Sequence, residues 1–370
     1  MIHPIPPGTR DVLPDEMREL RALANGLRGV FERSGYGEVR TPALEYEEVL
    51  RLGESRAAGA GYRLFDEQGR VLVLRSDMTI PIARLVGSRY RDAELPIRLC
   101  YFQHAYRPLR VGSGHSREFM QAGIELVGAP APAGDAEVVA VLLEGLAEAG
   151  LRRHRVGVGD AMLYPALLDS YEVEATERAK LLDALARRDL AGLETRVDRL
   201  ELPADARRLL VELPSMRGGP EVLDRVGGAA AGAVDGLREL HAMLAERGAG
   251  ERVIFDLGLV RELGYYTGAV FEVYDPAVGF ALGGGGRYDE LLTNFGRALP
   301  ACGVALDVER LHAAQAAEER LRWAPPRGCS WPCRAGRCSR RRSTRSAGSA
   351  WTPTRSARTT ASCCSRTRAS

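Results

Sequence analysis

The sequence predicts an α+β fold: an antiparallel sheet flanked by helices, with a helical insertion in the middle of the chain. Three observations lead there. Runs of β-branched and aromatic residues bracket amphipathic stretches along most of the chain. Several of these runs are joined by short polar or glycine-bearing links, the mark of hairpins. One long stretch, about 160–250, has leucine periodicity near 3.6 and almost no aromatic residues.

The elements follow in order. PIPPGTRDVLPDE is a proline-rich lead. Asp15 after Pro14 predicts a cap for a helix to about Ser34, with Leu20, Leu23, Leu27, Val30 and Phe31 on one face. Gly35 and Gly37 end it. GEVRTPALEY reads as a strand, and Pro42 places it at a sheet edge or an interface. Tyr62–Phe65 and Val71–Leu74 flank DEQG as a hairpin, and a helix starts at Met78. Pro96–Arg107 and Arg117–Leu126 are two strands around a polar loop, PLRVGSGHS, whose glycines suit folding over a ligand. Gly134–Gly150 is a helix. The insertion follows, with breaks at Pro203, Pro214 and the glycines near 227. Strands are expected at Arg252–Leu257, Tyr265–Tyr274 and Ala301–Asp307, then a helix over Val308–Arg322. Residues 1–325 are read as one domain containing the insertion.

Charge is unevenly distributed. The net charge is +2, but eleven of the 51 basic residues lie from Arg327 onward, where there is no Asp or Glu. The remaining 40 basic residues face 49 acidic ones, so the body is acidic and a broad basic surface for nucleic acid is not expected. Five of the seven cysteines also lie in this tail, leaving Cys100 and Cys302 in the body, which fits a reducing compartment. The tail lacks the apolar residues of a core and its cysteine spacing matches no zinc pattern. With a single lysine, Lys180, among so many arginines, the gene reads as GC-rich, and the tail reads as a disordered arm or a shifted frame after about Pro325. No run of eighteen apolar residues and no signal pattern appear, so a cytoplasmic location is expected, without metal or cofactor.

Four places carry chemistry. In LRSDMT, Asp77 has a carboxylate placed either to accept from an ammonium group or to cap the following helix. Tyr106 and Arg107 end one strand, and Arg117, Gln121 and Glu125 share a face of the next by the period of two. That polar face is either solvent-exposed or the floor of a site. LVRELGYYTGAVFE and ALGGGGRYDEL bring Arg261, Tyr265, Tyr266, Arg287 and Tyr288 together around four glycines. They read either as a pocket for a small polar ligand with a carboxylate and a ring, or as a core hairpin with a glycine turn. Arg310 is expected in the first turn of the last helix.

These motifs resemble the class II aminoacyl-tRNA synthetases, and among them the histidyl-tRNA synthetase family, over roughly residues 5–320. GYGEVRTPALE is similar to the first class II motif, YRPLRVGSGHSREFMQAGIELVG to the second and GVALDVERL to the third. VRELGYYTGAVFE and GGGGRYDEL resemble the histidine-specific signatures. The resemblance implies a histidine pocket built from Asp77, Thr79, Arg107, Gln121, Glu125, Arg261, Tyr265, Tyr266 and Tyr288. It also implies a homodimer through the first motif.

The departures from that family lie in its ATP-binding half. Leu109 stands where the pattern has a glutamate, His115 where it has a loop arginine, Glu262 where it has glycine and Gly264 where it has aspartate. The Arg-x-Asp-x-Thr form of LRSDMT resembles a synthetase-like paralogue family, the regulatory subunits of ATP phosphoribosyltransferase. That resemblance implies a non-catalytic subunit in the first step of histidine biosynthesis. It would bind histidine, partner a short-form catalytic subunit, and bind neither tRNA nor membrane. The other reading is a divergent or truncated histidyl-tRNA synthetase catalytic core.

Overall fold

The computed structural model describes residues 4–53, 61–108, 116–227, 230–259 and 264–323. All belong to one unit, Met1–Ala324. The Arg/Ser/Cys-rich tail, and with it the expected shifted frame, lies outside the described residues.

The chain opens with α1 (Pro14–Arg33), whose buried face is Leu20, Leu23, Leu27, Val30 and Phe31. Its N-cap is Leu13 rather than Asp15, and Pro14 occupies the first turn. Proline fits there because its missing N–H is one the helix leaves unpaired, and the acid of Asp15 favours the helix start by charge. Gly35 takes a φ of +85°, and the chain turns into the sheet.

The expected strand over GEVRTPALEY is two short ones, β1 (Gly37–Glu38) and β2 (Leu44–Tyr46). Between them Pro42 supplies no N–H, and the carbonyls of Thr41 and Pro42 accept from the buried Arg75 guanidinium at 2.8 and 2.9 Å. After α2 (Glu47–Gly53), the hairpin β3 (Arg63–Phe65) and β4 (Val71–Leu74) completes a small sheet in the order β2-β4-β3. Asp66 Oδ1 accepts from the N–H groups of Gln68 and Arg70 and shapes its turn. The helix expected from Met78 is α3 (Thr79–Arg89).

Among the described residues the main sheet has nine strands. β5 (Ile97–Tyr106) and β6 (Glu118–Val127) form a long antiparallel pair, and β12 (Ala301–Asp307) lies beside β6. β11 (Gly283–Arg287), β10 (Ala269–Tyr274), β7 (Arg155–Asp160), β9 (Val253–Asp256) and β8 (Arg217–Gly218) complete the order β1-β5-β6-β12-β11-β10-β7-β9-β8. Pairing is antiparallel except for β1 with β5 and β7 with β9, so the sheet is mixed. Both edge strands are two residues long.

One face of this sheet carries the larger core. Cys100, Ala122, Ile124, Leu126, Phe271, Cys302, Val304 and Leu306 form one buried cluster with α1 and α4 (Ala133–Glu148). Between β7 and β9 the chain runs through α5 (Leu163–Ser170), α6 (Ala175–Ala186), α7 (Leu190–Val197), α8 (Ala204–Glu212) and α9 (Ala231–Glu246). The last helix is α10 (Val308–Trp323).

One expectation needs correction, and one pair of alternatives is decided. The strand expected from Tyr265 begins at Ala269, leaving both tyrosines in the preceding turn. The four glycines form a central strand, which removes the alternative of a glycine turn and keeps the close backbone approach. A Cβ on Gly285 would overlap the carbonyl oxygen of Gly303 on β12, so this position admits no side chain without moving a neighbouring strand.

Candidate functional site

The opposite face, packed under α3 and the tyrosines Tyr265 and Tyr288, is built by alternation along β5 and β6. Leu99, Tyr101, Gln103 and Ala105 lie opposite Glu125, Gly123, Gln121 and Phe119. On β12 the same rows continue as Gly303, Ala305 and Asp307, and on β11 as Gly286 and Gly284. Polar side chains on two strands thus stand beside nearly bare backbone on the next two.

Glu125 is at the centre. It is 1% exposed, and its carboxylate lies over Gly303, where a Cβ would collide with it. It accepts from the Tyr288 hydroxyl in a short contact, from Thr79 Oγ1 at 3.1 Å and from the Tyr101 hydroxyl at 3.4 Å. Burial pushes its carboxyl up to about 8, the charge of Asp77 adds to this, and the hydroxyls pull it back. Tyr288 and Tyr101 are pushed well above the usual phenol range, first by burial and then by Glu125, so both donate as neutral phenols.

Asp77 and Thr79 meet this acid from the start of α3. Asp77 Oδ1 accepts from the Thr79 N–H at 2.6 Å, so the capping arrangement is present. The carboxylate also stands close enough to raise Tyr101, Tyr265 and Glu125 by its charge. Thus Asp77 orders the turn that holds Thr79 and adds negative potential to the pocket.

The turn before β10 supplies aromatic walls. Tyr265 and Tyr266 have ring centroids 4.8 Å apart, and Tyr265 meets Tyr288 edge-on at 5.8 Å. A Cβ on Gly286 would lie 2.8 Å from the Tyr266 ring, so the bare backbone lets that ring lie down on β11. The Tyr265 hydroxyl and Gln121 Oε1 are buried and have no hydrogen-bond partner among the described residues. Unsatisfied buried polar atoms are costly, about 1–3 kcal/mol each, and two on one floor mark a place prepared for a polar guest.

The arginines divide by role. Arg107 donates from Nε to the Ser76 carbonyl at 2.9 Å and lies over the Phe119 ring. Arg117 donates to the Pro7 carbonyl and to the Tyr62 hydroxyl, tying down the proline-rich lead. Arg310 stands in the first turn of α10, donates to the Ala281 carbonyl at 2.6 Å and pairs with Asp307 at 3.4 Å. Arg287 is withdrawn from any pocket: it forms a buried pair with Asp135 at 3.0 Å. Arg261, Glu262, Leu109 and His115 lie outside the described residues, as does most of the loop between β5 and β6. Asp77, Thr79, Gln121, Glu125, Tyr265, Tyr266 and Tyr288 therefore share one face, with Arg107 at the end of β5.

Tyr101 escaped the sequence reading. Its signal was Gly123 directly across the strand pair, since a Cβ there would overlap the Tyr101 hydroxyl.

Comparison with known proteins agrees with this architecture. A family model described as histidyl-tRNA synthetase matches residues 8–311. An ATP phosphoribosyltransferase regulatory subunit from Symbiobacterium thermophilum is 41% identical over 330 residues, covering 87% of this chain and 82% of the relative. One of the same name from Moorella thermoacetica is 41% identical over 317 residues, covering 84% and 82%. A crystal structure described as an ATP phosphoribosyltransferase regulatory subunit/histidyl-tRNA synthetase from Bacillus halodurans C superposes with a TM-score of 0.79 at 34% identity. It covers 85% of this chain and 84% of that one. The chain belongs to the histidyl-tRNA synthetase-like family, on the branch whose named relatives are ATP phosphoribosyltransferase regulatory subunits.

Proposed function

We infer that this chain is a non-catalytic regulatory subunit of ATP phosphoribosyltransferase, acting in the first step of histidine biosynthesis and sensing histidine for feedback control. The family supports the regulatory role. One observation carries the ligand assignment: the buried Glu125 lies among hydroxyls on the same floor as the unsatisfied Gln121 Oε1 and Tyr265 hydroxyl. An imidazole N–H suits Glu125, with Tyr288 and Tyr266 beside it. An α-amino group suits Asp77, Thr79 and Gln121, each of which offers an oxygen acceptor. Arg261 and Arg107 are assigned to the carboxylate side.

The partner is a short-form catalytic subunit of ATP phosphoribosyltransferase, and no tRNA or membrane is engaged. No described helix is long and apolar enough to cross a membrane, and a cytoplasmic site is the reading adopted. Histidine in the pocket biases two conformations of the complex, with a coupling of about 1–3 kcal/mol. Two copies pair through the segment Gly35–Glu45, where Leu44 on the outer strand β2 is 41% exposed.

The test is titration calorimetry with histidine on the whole chain. Micromolar binding that Asp77→Ala and Tyr266→Phe both weaken is expected; unchanged affinity in both variants would move the site elsewhere. The second reading, a divergent synthetase core, is favoured by the retained Arg107 and Arg310. Both, however, are engaged by backbone carbonyls of the chain itself. Robust histidine-dependent ATP–pyrophosphate exchange would establish that reading and sink the regulatory one.

A further inference from the structure

Two buried acids lie close together, apart from the residues of the pocket. Asp275 directly follows β10 and is 2% exposed; Glu318 lies on α10 and is 6% exposed. Their carboxyl groups lie close enough to act on one another. Glu318 is well supplied with donors: it accepts from the N–H of Arg152 at 3.1 Å and of Arg153 at 2.9 Å, in the segment entering β7. Asp275 is not. Its Oδ1 accepts from the Ala277 N–H at 2.8 Å, but its Oδ2 is buried without a partner. Two carboxylates have only acceptors to offer one another. Their approach becomes a bond only when one of them holds a proton, and the orphaned Oδ2 is the atom that needs it.

We propose that Asp275 and Glu318 share one proton, and that this proton latches the C-terminal half of α10 onto the β10 end of the sheet. Glu318, with its backbone donors, is the ionised acceptor, and Asp275 is the neutral donor. Burial first, and then the neighbouring acid, push the Asp275 carboxyl up to about 6, while the hydrogen bond from Asp275 holds Glu318 below the usual range. The latch is therefore closed in mild acid and opens as pH rises through about 6, when two like charges are left buried side by side.

The surrounding charges do not replace the proton. Arg153 favours the ionised form of Asp275, but as the weakest of the influences on it. Arg252 donates to the Arg152 and His154 carbonyls, and Arg155 to the His154 carbonyl. His154 is buried with Nδ1 at 3.1 Å from the Leu151 carbonyl. Burial, and then Arg252, hold it below the usual imidazole range, while Glu318 acts on it in the opposite sense. Because α10 is one helix, the latch also seats the first turn, which carries Glu309 and Arg310. The latch does not depend on which ligand the pocket takes.

Hydrogen exchange of the full chain, read by mass spectrometry on peptides covering 312–323, tests this. After correction for intrinsic exchange, protection is expected to fall about tenfold between about pH 5.5 and 7.5. Asp275→Asn keeps an acceptor for Ala277 and gives Glu318 a donor that does not titrate, so its protection stays high and flat. His154→Gln keeps the fall of the parent chain. Flat protection in the parent chain, an undiminished fall in Asp275→Asn, or loss of the fall in His154→Gln would each overturn the proposal.

Discussion

Glu125 has three hydroxyl donors and a nearby negative charge, and its whole side chain is out of water. A group so placed acts as an acid that a ligand must complement rather than as an ordinary surface carboxylate. Glu125→Gln keeps the shape and loses the charge. Histidine affinity is expected to fall about 10- to 100-fold, since a hydrogen bond to a charged group contributes about 1.5–3 kcal/mol. Calorimetry at a pH near 8, where the parent acid is half ionised, checks this. The pocket set came from the family resemblance; strand alternation independently pointed to Gln121 and Glu125, and the double tyrosine to Tyr265 and Tyr266, while nothing local marked Thr79. Tyr101 was missed, because its partner Gly123 signals by lacking a side chain, and only pairing of β5 with β6 gives that meaning. Arg287 stood next to Tyr288 in the sequence and looked equivalent to Arg261. Its burial against Asp135, which is 152 residues away, is a long-range fact.

The glycines of the pocket region are not equivalent at the scale of elements. Gly285→Val puts a side chain into the β12 backbone and is expected to cost about 3 kcal/mol or more in urea unfolding. Gly264→Ala, in the turn before β10, meets nothing within 4 Å and is expected within about 0.5 kcal/mol of the parent. A third substitution, Asp135→Ala, leaves the buried Arg287 with Asp289 as its remaining carboxylate partner and is expected to cost about 1.5–3 kcal/mol. The same distinction explains which elements were legible. β5, β6 and β12 carry long apolar runs, and α10 a stretch of strong helix formers, in their own residues. β7 went unread because Gly157 and Gly159 erase one of its two faces, and β11 because four glycines look like a turn until two flanking strands are in place. The strand around Pro42 was predicted whole and is broken, since Arg75 takes the carbonyls there.

Acid groups with raised affinity for protons dominate the pH response of the whole molecule near neutrality. Burial pushes Glu125 to about 8, Glu309 to about 7 and Asp275 to about 6. In each case the folded chain holds a proton that the unfolded chain has released, so stability falls as pH rises from the ordinary carboxylate range through these values. His154 works in the opposite sense: held below its ordinary value, it adds stability as pH rises, but only up to about 6.5. The melting temperature is therefore expected to fall between about pH 6.5 and 8.5, and Glu125→Gln should flatten that fall. A melting temperature that rises over this interval would contradict the protonated state assigned to Glu125.

The short strands at the two ends of the main sheet have a consequence for assembly. β1 and β8 each offer only two residues of backbone, so the sheet presents almost no open ladder to which a foreign strand could be added. Recruiting a partner by lengthening this sheet at β1 or β8 is therefore disfavoured. A partner subunit is then expected to recognise side chains on loops, helices or the small outer sheet, where identity is encoded residue by residue. Aggregation by strand exchange is suppressed by the same geometry, and recognition by the complex becomes a matter of surface chemistry.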